Sequence, residues 1–307
     1  MNTARVLVTG ASGFIGLHAL AALRAAGLDV TATYCARPPG EIAGVRWVHA
    51  DLLALDAPEA LIRDAQPDTL LHLAWIVEPG RMIDHVDNLR WLAASLDLLR
   101  HFHAAGGRRC VMSGSCYEYD WRYGYCSEEL TPGRPDTLYG AAKRGLAETM
   151  LAYCKAAGLS GAWGRLFFLY GPHENPRRLV PAVILSLLRG EPAKSSHGKQ
   201  VRDYMHVRDA ADGLIALLLS DSQGIFNIAS GCGVAIHTIV ERIGGIVGRE
   251  ELLQIGALPA RANDLPLVVG DAGKIRRDVG WHAQIDLDAG LRATVDWWRA
   301  RQKASPR

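Results

Sequence analysis

The chain has 307 residues, 49% of them hydrophobic and 21% charged, enough to bury a substantial core without disulfides, metals or an obligatory partner. Its 34 Lys plus Arg nearly balance 32 Asp plus Glu, which argues against the broad basic surface that nucleic acid or an anionic membrane demands. The six cysteines, Cys35, Cys110, Cys116, Cys126, Cys154 and Cys232, have neither CxxC spacing nor a histidine at zinc-ligand distance, so buried thiols are expected and no metal site is.

Met1 leads directly into the β-like run Arg5-Val6-Leu7-Val8, with no signal-like region and no later stretch of about 20 apolar residues, so a cytoplasmic protein is expected. Aliphatic runs then alternate with Ala/Leu-rich helical segments. Strand Val6 to Val8 precedes helix Leu17 to Ala26, strands Asp29 to Tyr34 and Trp47 to Ala50, and a helix around Pro58 to Ala65. Strand Thr69 to Ala74, a long helix from Val86 to Ala105, strand Arg109 to Met112, helix Leu138 to Ala157 and strand Ala162 to Leu169 follow. Parallel strands need helical crossovers, and this alternation is the mark of an α/β fold with a doubly wound parallel sheet. Past Gly171-Pro172, short apolar segments separated by Pro/Gly turns suggest a smaller C-terminal α/β lobe that binds substrate. The expected division is residues 1–170 for a dinucleotide-binding domain and 171–307 for the lobe. Residues 200–232, which include the strand-like Gly224 to Ile228, are expected to return to the main sheet.

Thr9-Gly10-Ala11-Ser12-Gly13-Phe14-Ile15-Gly16 puts three glycines between the first strand and the first helix. The first permits a tight turn, the second lets backbone N–H groups approach a pyrophosphate, and the third allows close helix–strand packing. An acid at the end of the second strand commonly binds the ribose 2′-OH of NAD, whereas a nearby arginine accommodates the 2′-phosphate of NADP. Here Tyr34 stands where that acid would fall and Arg37 is close by, which favours NADP(H), with NAD(H) the alternative. Asp51 and Leu52 are placed to meet the adenine edge, although an Asp there also serves as a cap. His72-Leu73-Ala74 ends the next strand, where small residues admit a cofactor and His72 reads as structural.

Tyr139 and Lys143 lie four apart at the start of a helical pattern and share a face. A free tyrosine has a pKa of about 10; a nearby ammonium and the cofactor's positive charge favour the phenolate, and bringing it to about 7 corresponds to about 4 kcal/mol of differential stabilisation. Ser115 follows a strand at the carboxyl edge of the sheet, where open α/β sheets bind ligands. The trio Ser115, Tyr139 and Lys143 is the expected proton-transfer site.

On these residues, with Asn88, the chain resembles the extended short-chain dehydrogenase/reductase family, in its nucleotide-sugar epimerase/dehydratase/reductase branch, over nearly its whole length. The resemblance implies a Rossmann-type sheet, Gly10, Ser12, Gly13, Phe14, Ile15, Gly16, Asp51, Leu52, Leu73, Ala74 and Asn88 around the cofactor, and Lys143 on the nicotinamide ribose. It also implies that Arg202, in the run Arg202 to Asp209, and Arg261, in Arg261 to Pro266, bind a substrate diphosphate. Asp271 and Gly280-Trp281 continue the pattern. Dehydratases of the branch carry Asp-Glu directly after the catalytic Ser/Thr; here Cys116-Tyr117 follows Ser115, which argues against dehydration. Phe168 falls where many members have an Asn that touches substrate.

The expected activity is reduction of a keto group, at C4 of a nucleotide-linked deoxysugar, in carbohydrate biosynthesis. The alternative is a nucleotide-sugar 4-epimerase that retains NAD. A dinucleotide-sensing protein without turnover is a third reading, opposed by the intact Ser115, Tyr139 and Lys143. Family members often dimerise through two helices per subunit, here those near Val86 to Ala105 and Leu138 to Ala157, so a homodimer is expected, with Trp91, Leu92 and Phe102 at the interface or in the core.

Overall fold

Val6 and Val8 point to one face of the first strand and Leu7 to the other, and each is at most 2% exposed. Side chains alternate across a strand, so a strand buried on both faces must lie inside a covered sheet. A computed structural model, which describes residues 4–36, 39–78, 80–260 and 264–304, has this arrangement.

In chain order, β1 (Arg5–Thr9), α1 (Phe14–Ala25), β2 (Asp29–Tyr34), β3 (Val45–His49), α2 (Ala57–Ala65), β4 (Thr69–His72), α3 (Asp87–Ala104) and β5 (Arg109–Ser115) form the first part. There follow β6 (Tyr125–Cys126), α4 (Leu138–Ala157), β7 (Ser160–Leu166), β8 (Phe168–Tyr170), α5 (Leu179–Leu188), β9 (Ala193–Ser195), β10 (Val201–His206), α6 (Val207–Leu219) and β11 (Gly224–Ile228). The chain finishes with β12 (Gly233–Ala235), α7 (Ile236–Val247), β13 (Leu253–Ile255), β14 (Leu267–Gly270), α8 (Gly273–Val279) and α9 (Leu287–Ala304).

Seven strands pair in parallel in the order β11-β7-β5-β4-β1-β2-β3, a Rossmann-type sheet. One apolar layer joins Val6, Val8 and Val30 to Leu20 and Leu23 of α1 and Leu214 of α6. The opposite layer joins Leu7, Leu70 and Met112 to Leu98 and Phe102 of α3 and Leu146 and Met150 of α4. Phe102 is therefore core. A third cluster, with Val180 and Ile184 of α5, Ile239 and Ile243 of α7 and Leu291 and Val295 of α9, gives the second lobe its own interior.

The strand expected over Ala162 to Leu169 is two strands in two sheets. Leu166 pairs with Ser115 at the end of the main sheet, Phe167 turns into a small cluster with Cys116, Tyr119 and Cys126, and β8 then pairs with β10. Of residues 200–232, β11 lies on the edge of the main sheet and α6 packs beneath it, while β10 belongs to the second sheet with β8, β12 and β14. Cys110, Cys116, Cys126 and Cys154 are buried thiols, but Cys35 and Cys232 are exposed, because they sit in the loops after β2 and β11. Among the described residues no helix is long and apolar enough to cross a membrane, and no group of His, Cys, Asp or Glu is arranged to hold a metal.

Candidate active site

A cleft of about 950 Å³ runs along the carboxyl ends of β1, β2, β4 and β5 and on into the second lobe. Its first wall is the glycine loop: Gly10, Ser12, Gly13, Phe14, Ile15 and Gly16 all line it. Gly10 has φ +70°, and a Cβ there would sit 2.6 Å from the Ala74 nitrogen, so the loop lies directly against the end of β4. A Cβ on Gly16 would meet the Gly10 carbonyl at 2.4 Å and Ala11 Cα at 2.5 Å, both backbone and unable to give way. Helix α1 follows Gly13, which offers no side-chain cap, and has no acid in its first turn, so its leading N–H groups are open to an anion. Leu73, Ala74, Asp51 and Leu52 also line the cleft; the Asp51 carboxylate additionally accepts the Leu53 N–H at 3.1 Å. These features fit a dinucleotide pyrophosphate and its adenosine.

At the ribose end, β2 finishes in Tyr34, whose ring meets His49 and Trp47 edge-on at 5.5 and 6.4 Å. The strand therefore ends in a phenol rather than a carboxylate. Arg37 lies outside the described residues, as does Arg261.

Asn88 differs from expectation. It is fully buried and spends its amide inside the fold, accepting from Trp75 Nε1 at 2.8 Å and donating to the carbonyls of Met82 and His85, each at 2.9 Å. Its effect on the cleft passes through Trp75, a lining residue that sequence reasoning missed and that stacks on Trp91. His72 is likewise internal, held by Thr9 Oγ1 at 2.6 Å and Ser95 Oγ at 2.8 Å, and burial pushes its pKa down to about 3.

Ser115, Tyr139 and Lys143 meet on the cleft floor. Ser115 is the last residue of β5. Tyr139 and Lys143 come from the first turns of α4, which begins at Thr137, whose hydroxyl accepts the Gly140 N–H at 3.0 Å. Burial raises the Tyr139 phenol well above its ordinary value, while its hydrogen bond with Ser115 pulls the other way. Lys143 Nζ donates to the Ser113 carbonyl at 2.8 Å and lies 4.0 Å over the Trp75 ring. Burial lowers its pKa to about 7, with Glu118 opposing. Burial thus pushes both groups toward their neutral forms, Tyr139 up and Lys143 down, against the direction of the expected ammonium and phenolate.

Glu118 is another residue that sequence reasoning missed, although Ser115-Cys116-Tyr117-Glu118 has capping-box spacing. It accepts the Ser115 N–H at 2.7 Å, Trp163 Nε1 at 3.0 and 3.2 Å and Arg165 Nε at 2.7 Å, and it is fully buried.

An aromatic wall leads away from Tyr139. Tyr117 is 5.7 Å from Tyr139, Trp121 is 4.5 Å from Tyr117, Phe168 is 6.0 Å from Trp121, and Tyr204 is 5.6 Å from Phe168. Arg202 lies over Trp121 and Phe168 and is ion-paired with Asp264, 62 residues further along the chain. Arg177 and Arg178 also line this end.

A parallel sheet with a glycine loop, and a hydroxyl, a phenol and an amine at its carboxyl edge, defines the class: a dinucleotide-binding α/β protein. The chain belongs to the NAD-dependent epimerase/dehydratase family, whose model matches residues 6–229. The UDP-glucose 4-epimerase of Azospirillum brasilense is 29% identical, covering 98% of this chain and 93% of that protein. A dTDP-glucose 4,6-dehydratase of Xanthomonas campestris is 27% identical, covering 96% and 93%. The structure of the UDP-glucose 4-epimerase of Thermus thermophilus, a complex with NAD, superposes with a TM-score of 0.83 at 26% identity over 96% of this chain and 99% of that one.

Proposed function

We propose that the protein is a nucleotide-sugar oxidoreductase acting at C4, reducing a 4-keto deoxysugar with NADP(H). The observation that carries this reading is the convergence of Ser115, Tyr139 and Lys143 in one cleft between the glycine loop and the Arg202 end. When bound, the dinucleotide supplies the hydride. Ser115 Oγ and Tyr139 Oη hold the substrate oxygen, and Tyr139, kept protonated by burial, delivers the proton to it. Lys143 fixes the nicotinamide ribose and biases the phenol. Arg202, with Arg177 and Arg178, binds the diphosphate, and Phe168 and Tyr204 shape the wall beside it. The absence of an acid at the end of β2 supports NADP(H).

Elimination of water is disfavoured because Cys116 is a buried thiol whose pKa is pushed up by burial, and Glu118, which accepts the Ser115 N–H, is turned into Trp163 and Arg165. A second reading, 4-epimerisation with retained NAD, is supported by the names of two relatives above.

The test is to identify by mass any dinucleotide that copurifies, then follow absorbance at 340 nm with NADPH and a panel of nucleotide-linked 4-keto sugars. Sustained NADPH loss is expected. Sugar inversion with tightly held NAD and no net consumption assigns the epimerase instead. We further propose a homodimer through α3 and α4, where Leu89 is 52% exposed; light scattering of the purified protein at monomer mass overturns it.

A further inference from the structure

The strand end that carries Ser115 is clamped from two sides. On one side Lys143 Nζ donates to the Ser113 carbonyl. On the other, Gly114 leaves space that Glu118 and Trp163 fill: a Cβ there would lie 2.0 Å from Trp163 Nε1 and 2.5 Å from Glu118 Oε1. The Glu118 oxygens receive the Ser115 N–H, the Trp163 indole N–H and the Arg165 guanidinium, all inside the protein. A buried carboxylate is costly unless paired and hydrogen-bonded, and here every bond it makes braces the reactive strand end.

We propose that Glu118 is a positioning residue for this site: through the Ser115 N–H it fixes the reactive hydroxyl, and its buried carboxylate, bonded to Trp163 and Arg165, favours the ammonium form of Lys143. The proposal rests on the reading of Ser115, Tyr139 and Lys143 as the proton-transfer site. Among the described residues, the other groups facing Lys143 do not supply that charge. His72, on β4, is neutral at working pH, since burial holds its pKa near 3. Trp75, and Trp163 on β7 at 5.8 Å, offer ring faces. Tyr139, on the same helix, stays protonated, and Arg165 on β7 is a cation bound to Glu118 itself. Burial opposes the ammonium and the Glu118 carboxylate counters it.

The experiment titrates Lys143 by its 13Cε chemical shift in labelled whole protein, assigned with Lys143→Arg, so that it stands whether or not any sugar turns over. Wild type is expected to titrate near 7, far below an ordinary lysine. Glu118→Gln keeps an acceptor for the Ser115 N–H and removes the charge; the Lys143 midpoint should fall by about 1 pH unit or more. In the NADPH assay at pH 7, the ammonium fraction then drops about 5-fold and turnover with it, and the pH profile moves by the same interval. Glu118→Asp keeps the charge and should leave the midpoint within about 0.5 pH unit of wild type. An unchanged midpoint in Glu118→Gln, or equal falls in both variants, overturns the proposal. So does a wild-type Lys143 that titrates like a free lysine. Should Glu118→Gln not fold, Glu118→Asp alone carries the test, and a fall of about 1 pH unit in that variant overturns it. A titration that behaves as expected in protein inactive on every sugar sinks the proposed function and leaves the Glu118 assignment standing.

Discussion

At the dinucleotide end of the cleft the chain presents backbone: the glycine loop, the leading N–H groups of α1 and the small residues that end β4. At the substrate end it presents long side chains, with Arg202 paired to Asp264 and lying over Trp121 and Phe168. Backbone sites tolerate no added atoms, because neighbouring backbone cannot move aside, and they leave little room for tuning. Side-chain sites change specificity by substitution, at the cost of ordering flexible groups. The proposed proton-transfer trio sits between the two and borrows from both, with one residue on a strand end and two on a helix.

The comparison breaks most sharply at the backbone end. Gly16→Ala pushes a methyl into Gly10 and Ala11, and overpacking of about 1–3 kcal/mol should appear as a lower urea midpoint together with up to about 100-fold weaker NADPH binding by fluorescence titration. Normal binding in that variant would show that the loop is not the phosphate cradle. In the middle, Tyr139→Phe should cut kcat by about 10²–10⁴ while the dissociation constant for NADPH stays within a few-fold, measured by stopped-flow and titration. Comparable losses of binding and turnover would place Tyr139 in binding rather than proton transfer.

At the side-chain end the expected effects are smaller. Arg202→Gln should weaken binding of a nucleoside diphosphate such as UDP by about 10- to 100-fold in calorimetry, the scale of a charge-assisted bond, and leave NADPH binding alone. Unchanged UDP binding would show that Arg202 spends its charge on Asp264 alone. Glu174 lines the same end, is 7% exposed and has a carboxyl oxygen without a partner; burial pushes its pKa up to about 8. Because the folded state holds this proton more tightly than the unfolded one, stability from Glu174 is present at acid pH and is lost as pH rises through about 8. Glu174→Gln cannot titrate, so its advantage over wild type should grow between pH 5 and pH 9 to about 1–3 kcal/mol, read from thermal melts. A constant difference across that range would locate the titration elsewhere.

Much of the fold was legible because its signals are local. The helix Leu138–Ala157 has the expected limits, bounded by the Thr137 cap and a left-handed Gly158, and the strand Asp29–Tyr34 likewise. What escaped was long-range. The break at Phe167 arises because one aliphatic run serves two sheets, and periodicity does not change where the partner strand does. Asn88 carries a motif-like position, yet its amide satisfies Trp75 and two carbonyls, a choice visible only once the loop preceding α3 is folded over it. Glu118 was spelled out by its spacing from Ser115, but its partners Trp163 and Arg165 lie 45 and 47 residues further on.

By itself the sequence determined the glycine spacing that turns β1 into α1, the four-residue step that puts Tyr139 and Lys143 on one helical face, and the parallel order that follows from alternating strands and helices. Each of these depends on neighbours within one or two turns of chain. Tertiary structure alone decided the charges: how far Tyr139 and Lys143 are desolvated, that Arg165 pairs with Glu118, and that Asp264 pairs with Arg202 from 62 residues away. Burial and Coulomb energy depend on what surrounds a group in space, and no short stretch of sequence contains its own surroundings.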